Sequence, residues 1–288
     1  MALRRLCVVG LLTSSVLLLG QTLPEPRKQF GASVTGAFEG WYDNADGTRS
    51  FLVGYYNRNT QEELDIPVGP NNRIEPGGPD MGQPTHFLPS RQFGMFAIPV
   101  AQNFALEDKL TWTLSANGQV TSIPLRLNRD YVISPFSEIS VNNTPPAIRF
   151  EEHGVALQGP IATMANAAVR TASLSAPLAV TIWVTDDMKY TSGTNAPLTT
   201  ARPPVTLVWS KYRGPGAVTF DKARPAVERS AATDNENVAF SGKATTNVKF
   251  SGAGDYVLHV TANDYSGDGG GGFQCCWTTG LVKVSVKP

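Results

Sequence analysis

Cysteine is nearly missing from this chain: Cys7, Cys275 and Cys276 are the whole supply in 288 residues. Two of the three are neighbours, and neighbours cannot staple one strand to another, so this is not a disulfide scaffold. Histidine is equally scarce, with His86, His153 and His259. No His-Glu-x-x-His, no Gly-x-Ser-x-Gly and no phosphate-binding glycine loop occurs, which excludes the zincin, nucleophile-elbow and P-loop signatures. A glycosidase carboxylate pair is not excluded in this way, because such pairs meet in space rather than in sequence. Charge is sparse and balanced, 24 basic against 24 acidic residues. Nucleic-acid surfaces are basic and strongly charged, so no nucleic-acid partner is expected. Long helical periodicity is also lacking, and no apolar run after the first twenty residues is long enough to span a membrane.

Those first twenty residues have their own pattern. Arg4 and Arg5 precede an apolar stretch over residues 6–20, broken only by Thr13, Ser14 and Ser15, and Pro24 and Pro26 follow. This is the shape of a secretory signal peptide, residues 1–20, with cleavage near Gly20. The rival is a retained anchor, but the run is short for the ~20 apolar residues a span requires. Cys7 precedes the apolar run rather than following it, unlike a lipoprotein cysteine. Loss of Arg4 and Arg5 leaves 22 basic against 24 acidic residues, a net charge of −2. The expected location is secreted, periplasmic or on the cell surface.

What the chain does have is turn formers, 27 Gly and 21 Pro, between short stretches of period-two alternation. That pattern predicts an all-β protein, and the length predicts two β-sandwich domains, residues 31–140 and 145–288. In the first, Phe38-Glu-Gly-Trp-Tyr42 runs into Asp43-Asn-Ala-Asp-Gly47 and returns from Thr48, a hairpin with an Asp-Gly turn; Asn117-Gly118 marks another. Between them lies a long Pro- and Gly-dense loop over residues 69–84, of the kind that is usually functional or disordered. The stretch Gly40-Trp-Tyr-Asp-Asn-Ala-Asp-Gly-Thr48 resembles uncharacterised exported bacterial proteins, a family with no activity to transfer.

In the second half, Val180, Ile182 and Val184 alternate, as do Val205, Leu207 and Trp209, and again Tyr256, Leu258, Val260 and Ala262. The run Trp209-Ser-Lys-Tyr-Arg-Gly-Pro-Gly-Ala-Val-Thr-Phe220, together with the Asn143-Thr-Pro-Pro146 opening, resembles PKD-like modules of bacterial secreted proteins. That resemblance implies an immunoglobulin-like sandwich, and the alternation on three strands puts Trp209, Tyr256, Leu207, Leu258 and Ile182 in its core. The chain departs from the pattern where Asp186-Asp-Met-Lys-Tyr replaces the familiar Asp-Pro-Asp-Gly-Asp. Such modules are scaffolds, and the fold does not fix a function.

Candidate sites gather at the ends of the second half. Asp186, Asp187, Asp264 and Asp268 fall on loops that a sandwich of this type places at one end, where Asn263 would add an oxygen; calcium takes about six to eight oxygen ligands. Their spacing follows no defined calcium loop, so solvated turn residues are the preferred expectation, without tight calcium binding. Cys275 and Cys276 leave three possibilities: a ring disulfide, an intermolecular bond, or two thiols. An exported protein meets an oxidising compartment, which favours the ring. A ring would fix Phe273 and Trp277 as an apolar patch on the glycine-rich hairpin over residues 264–280, the expected functional end. Trp183, outward on its strand, is a second exposed aromatic. Trp41, Tyr42, Tyr55 and Tyr56 read as cross-strand pairs rather than a sugar platform. His86, closing the long loop, is the best single functional histidine, with a structural hydrogen bond as its plainer role. His153 follows Glu151 and Glu152 in no defined metal motif, and His259 falls on an outward, exposed face. Together these predict a secreted, non-catalytic binding or adhesion protein that recognises a glycan or protein through Trp277, Phe273, Cys275, Cys276, Trp183 and His86. An exported hydrolase using the His86 loop and a structural subunit of an envelope assembly are the alternatives.

Overall fold

The computed structural model describes residues 25–138, 142–189, 203–230, 238–264 and 275–288. The leader, Asp268, Phe273 and most of the glycine-rich hairpin lie outside the described residues. The fold is all-β, and no helix among the described residues is long and apolar enough to cross a membrane.

The N-terminal strands are β1 (Val34–Asp43), β2 (Arg49–Asn57), β3 (Leu64–Asp65), β4 (Asn72–Glu75), β5 (His86–Phe87), β6 (Ser90–Val100), β7 (Leu110–Ala116) and β8 (Gln119–Leu125). They form sheets β1-β2-β6 and β4-β7-β8, with β3 paired to β5. Both expected hairpins are present. Asn117 and Gly118 have φ of 50° and 75°, the double left-handed geometry that a two-residue turn demands and that Asn-Gly tolerates. Alternate residues of the two three-stranded sheets meet in one core, where Phe51, Val53 and Tyr55 face Trp112, Leu114 and Leu125.

The C-terminal strands are β9 (Ala147–Arg149), β10 (Leu157–Gln158), β11 (Ala168–Ser173), β12 (Leu178–Asp186), β13 (Val205–Arg213), β14 (Val218–Phe220), β15 (Glu228–Arg229), β16 (Phe240–Phe250), β17 (Gly254–Asp264) and β18 (Trp277–Lys287). One sheet runs β10-β9-β12-β16-β14 with β15 also on β16, and the other runs β11-β18-β17-β13. Their facing sides make a second core, and all five expected members are inside it: Ile182, Leu207, Trp209, Tyr256 and Leu258 are each 3% exposed or less. The Tyr256 hydroxyl donates to the Gly252 carbonyl at 2.9 Å, the local tie of a tyrosine corner.

The two halves share apolar surface. The outer face of β13-β17-β18 is covered, since Tyr212, Val257 and Leu281 belong to the N-terminal core. Trp277 packs among Tyr42, Leu52, Ala97 and Ile133. The expected exposure of two residues is therefore corrected. His259 is 1% exposed and stacks on Tyr212 at 5.8 Å, and Trp277 is 2% exposed. Alternation tells which face of a strand turns away from its own core, not what lies against that face.

Polar contacts follow the same seam. Arg213 makes a two-pronged ion pair with Asp80, 2.9 and 2.8 Å, and its Nε donates to the Gln83 carbonyl at 2.8 Å. The Tyr212 hydroxyl donates to Gly82 at 2.6 Å. The long loop thus serves at least in part as a seam between the halves. A side chain at position 94 would start 2.6 Å from the Trp277 ring, at a backbone φ of +49°, so the indole needs Gly94 on both counts.

Candidate functional site

Trp183 sits in the middle of β12, and the register sets its company. It lies directly opposite Arg149 of β9 and Lys243 of β16. Direct partners in a sheet point to the same side, so an indole flanked by two cations occupies the outer face of the C-terminal sandwich. Val180, Ile182 and Val184 are buried while Trp183 is half-buried, as alternation requires. Around it opens a cleft of about 680 Å³, lined by Arg149, Glu152, His153, Trp183, Thr185 and Ser241 among others. Ser241 is 6% exposed, and its hydroxyl has no hydrogen-bond partner among the described residues. A buried hydroxyl facing a cleft without a protein partner is open to a ligand or a water. Of this set, only Trp183 stood out from the sequence as a binding residue. Arg149 and Ser241 come from strands whose pairing no local motif announces.

His86 sits between two carboxylates at the seam of the two halves. It is 8% exposed, with Nδ1 2.9 Å from Asp65 Oδ1 and Nε2 3.2 Å from Glu63 Oε2. Lys211 from the other half reaches the same Asp65 oxygen at 3.0 Å. A relay leaves one ring nitrogen for a nucleophile; here carboxylates engage both. Together these contacts make a polar clamp across the seam.

Of the four expected cross-strand aromatics on β1 and β2, Tyr56 is half-buried and the other three are buried. Trp41, Tyr42 and Tyr55 are 8%, 2% and 0% exposed. Trp41 Nε1 donates to the Asn128 carbonyl at 2.7 Å, and the Tyr55 hydroxyl accepts from the Leu88 amide at 2.8 Å. His153 is exposed on the rim of the Trp183 cleft rather than among carboxylates that could hold a metal.

Cys275 and Cys276 are joined in a disulfide and are 3% and 0% exposed. The pair therefore does not present an apolar patch through Trp277, whose indole turns inward, with its N–H buried and without a partner among the described residues. Phe273 lies outside the described residues.

The acidic end departs most from expectation. Asp186 and Asp264 are the last residues of β12 and β17, and each continues the inward-facing series of its strand, Val180-Ile182-Val184 and Leu258-Val260-Ala262. They are consequently 4% and 5% exposed rather than solvated turn residues. The Asp187 side chain is 8% exposed; it accepts from the Thr144 amide at 3.2 Å and the Thr144 hydroxyl at 2.9 Å. Asp264 Oδ2 accepts from Asn143 Nδ2 at 2.6 Å. Asp186 Oδ2 accepts from the Met188 amide at 2.9 Å, while its Oδ1 has no partner among the described residues. Burial, with the charges of Asp264 and Asp187 adding to it, pushes the Asp186 carboxyl up to about 7. Asn263 points to the other face of β17 and lines a separate cleft with Arg91 and Trp277, so it does not join the carboxylates. Asp268 lies outside the described residues.

No family model and no curated protein matches the chain. Among solved structures, it is similar to domains 4 and 5 of the S-layer protein SbsC, at 10% identity and TM-score 0.23, over 89% of this chain and 98% of that one. It is similar to the CFA/I enterotoxigenic E. coli adhesin CfaE at 8% identity and TM-score 0.24, over 92% and 83% of the two chains. The endo-fucoidan hydrolase MfFcnA4 gives 12% identity and TM-score 0.23 over 92% of this chain but 30% of its own. At such TM-scores these likenesses carry no argument about ancestry or activity.

Proposed function

We propose that this is an exported, non-catalytic glycan-binding protein whose recognition surface is the Trp183 cleft. The observation that carries this is the half-buried indole on an outer sheet face, beside the buried, partnerless Ser241 hydroxyl and ringed by Arg149, Glu152 and His153. An aromatic face takes the C–H side of a sugar ring, and a few fixed polar groups then orient its hydroxyls. Export rests on the leader pattern of residues 1–20. The division into units 31–140 and 145–288 belongs to the same proposal, with the first unit buttressing the second. The glycan is favoured over a protein partner because the site is a concavity in which a few polar groups surround one aromatic ring.

Trp183→Ala is expected to weaken retention on an immobilised polysaccharide array by about tenfold, ~1.4 kcal/mol, with the thermal transition still cooperative. Ser241→Ala should give a smaller loss. Retention unchanged in Trp183→Ala would remove the cleft from consideration.

A further inference from the structure

We propose that the groove between the two halves, floored by the outer face of β17, binds a small hydroxy-carboxylate of the kind a uronic acid residue presents. The inference does not depend on the glycan reading. Strand register builds the floor. His259, Thr261 and Asn263 alternate on the side of β17 that turns away from Leu258, Val260 and Ala262 of its own core, a row about 13 Å long at the rise of a strand. Trp277 of β18 pairs directly with Asn263, and Val208 of β13 with Thr261, so both add to the same side. β6 of the N-terminal half supplies the opposite wall. The groove holds about 430 Å³ at its Asn263 end and about 240 Å³ at its His259 end, and Gln92, Met95, Val208 and Thr261 line both parts. Three buried polar atoms of the lining residues have no partner among the described residues: Trp277 Nε1, Asn263 Oδ1 and His259 Nε2. Trp277 and His259 are 2% and 1% exposed. Buried polar atoms without a partner cost free energy and are few in a native fold, so three along one groove mark a place for complementary chemistry.

Donors and acceptors select the ligand. The Asn263 end is lined by Arg91 and Arg224 and by no carboxylate. Glu39 holds Arg91 at 2.9 Å, and the Arg91 guanidinium stacks on Phe93 at 4.3 Å. Arg224 is exposed and pairs with no group among the described residues. The positive charge left over is one guanidinium, whose planar fork matches a carboxylate. The Trp277 N–H donates only, and it meets a second anionic or hydroxyl oxygen. Gly94 spares that edge of the ring, since a Cβ there would begin 3.0 Å from Nε1. Asn263 Oδ1 accepts only, and it requires an O–H or N–H. A carboxylate with a hydroxyl on a neighbouring carbon answers all three groups. Sulfate would leave Asn263 without a donor, and a neutral sugar would leave Arg224 without a counter-charge. The Thr261 hydroxyl, which both donates and accepts, serves a further hydroxyl toward His259.

The test is isothermal titration of the whole chain with D-galacturonate, with D-galactose as its uncharged counterpart and a galacturonate tetramer as its chain form. Galacturonate is expected to bind saturably, and galactose at least about tenfold more weakly. Arg224→Gln, at an exposed position, should lower galacturonate affinity about tenfold with the melting temperature unchanged. Asn263→Leu removes a buried acceptor that has no partner, so it should melt at or above the wild type and still bind more weakly. A merely structural Asn263 would not separate those two readings. Tighter binding of the tetramer assigns the site to an acidic polysaccharide, and equal or weaker binding assigns it to a free acid; both uphold the carboxylate site. No saturable binding of either acid to the wild type would overturn the proposal. So would equal affinity for galactose, or an affinity undiminished in Arg224→Gln or Asn263→Leu, which would place the acid elsewhere. The Trp183 cleft lies on the other sheet of the sandwich, and its own test stands or fails separately.

Discussion

Trp277→Ala is expected to lower the unfolding free energy of the whole chain by roughly 3–5 kcal/mol, the range for large aromatics removed from cores. The residue begins β18 of the C-terminal sandwich, yet its indole packs among Tyr42, Leu52, Ala97 and Ile133 of the N-terminal half. At 2% exposure it is as buried as residues within either core. Truncation would leave a cavity walled by rigid strands on both sides, and Gly94, which sits against the ring, has no side chain with which to fill it. Partial collapse sets where in the range the value falls. The orphaned indole N–H offsets part of the loss, because removing it relieves a buried donor without an acceptor among the described residues. Urea denaturation gives the result directly. A midpoint shift with unchanged slope is expected, since the surface exposed on unfolding barely changes. A cost below 1 kcal/mol would mean that the halves merely touch at Trp277.

The same seam marks how far the sequence could be read. Strands whose one face is apolar, such as β12 and β13, declare themselves by alternation, and their inner residues Ile182, Leu207 and Trp209 are where periodicity puts them. Turn chemistry was equally legible, because Asn117-Gly118 needs no partner to explain it. The face opposite a core is another matter. β17 carries Val257 and His259 on its outer side as well as Tyr256 and Leu258 on its inner side, and five consecutive residues from Tyr256 to Val260 are buried. Apolar residues on both faces were the available signal that something covers this strand. For the candidate site the limit is pairing. Trp183 could be picked out alone, but Arg149 and Lys243 become its neighbours only through registers between strands 34 and 60 residues away. At the acidic end residue type and strand parity disagree: Asp186 and Asp264 look like turn residues by type, while their parity places them inside.

His259 should make stability depend on pH, with a loss of about 3 kcal/mol between neutral and pH 4. Burial against Tyr212, only partly countered by a hydrogen bond with the Met95 backbone, pushes its imidazole down to about 4. In the unfolded chain the same group titrates near its usual value of about 6.5. Above that value neither state is protonated at this site, and the full contribution is present. As pH falls below it, the unfolded chain takes a proton that the folded one refuses, so stability declines until the folded imidazole titrates at about 4. Asp186 works in the opposite direction, because its raised carboxyl takes up a proton first in the folded state; the wild-type profile alone would therefore blur the two. The measurement is a difference: urea unfolding of wild type and His259→Gln at matched pH values from 7.5 to 4. Every group common to both cancels, and any constant cost of the substitution drops out of the trend. Relative to His259→Gln, the wild type should lose about 3 kcal/mol across that interval, most of it below pH 6.5. Parallel profiles would show that His259 takes its proton as readily in the folded protein as outside it, which a ring held 1% exposed between two halves should not do.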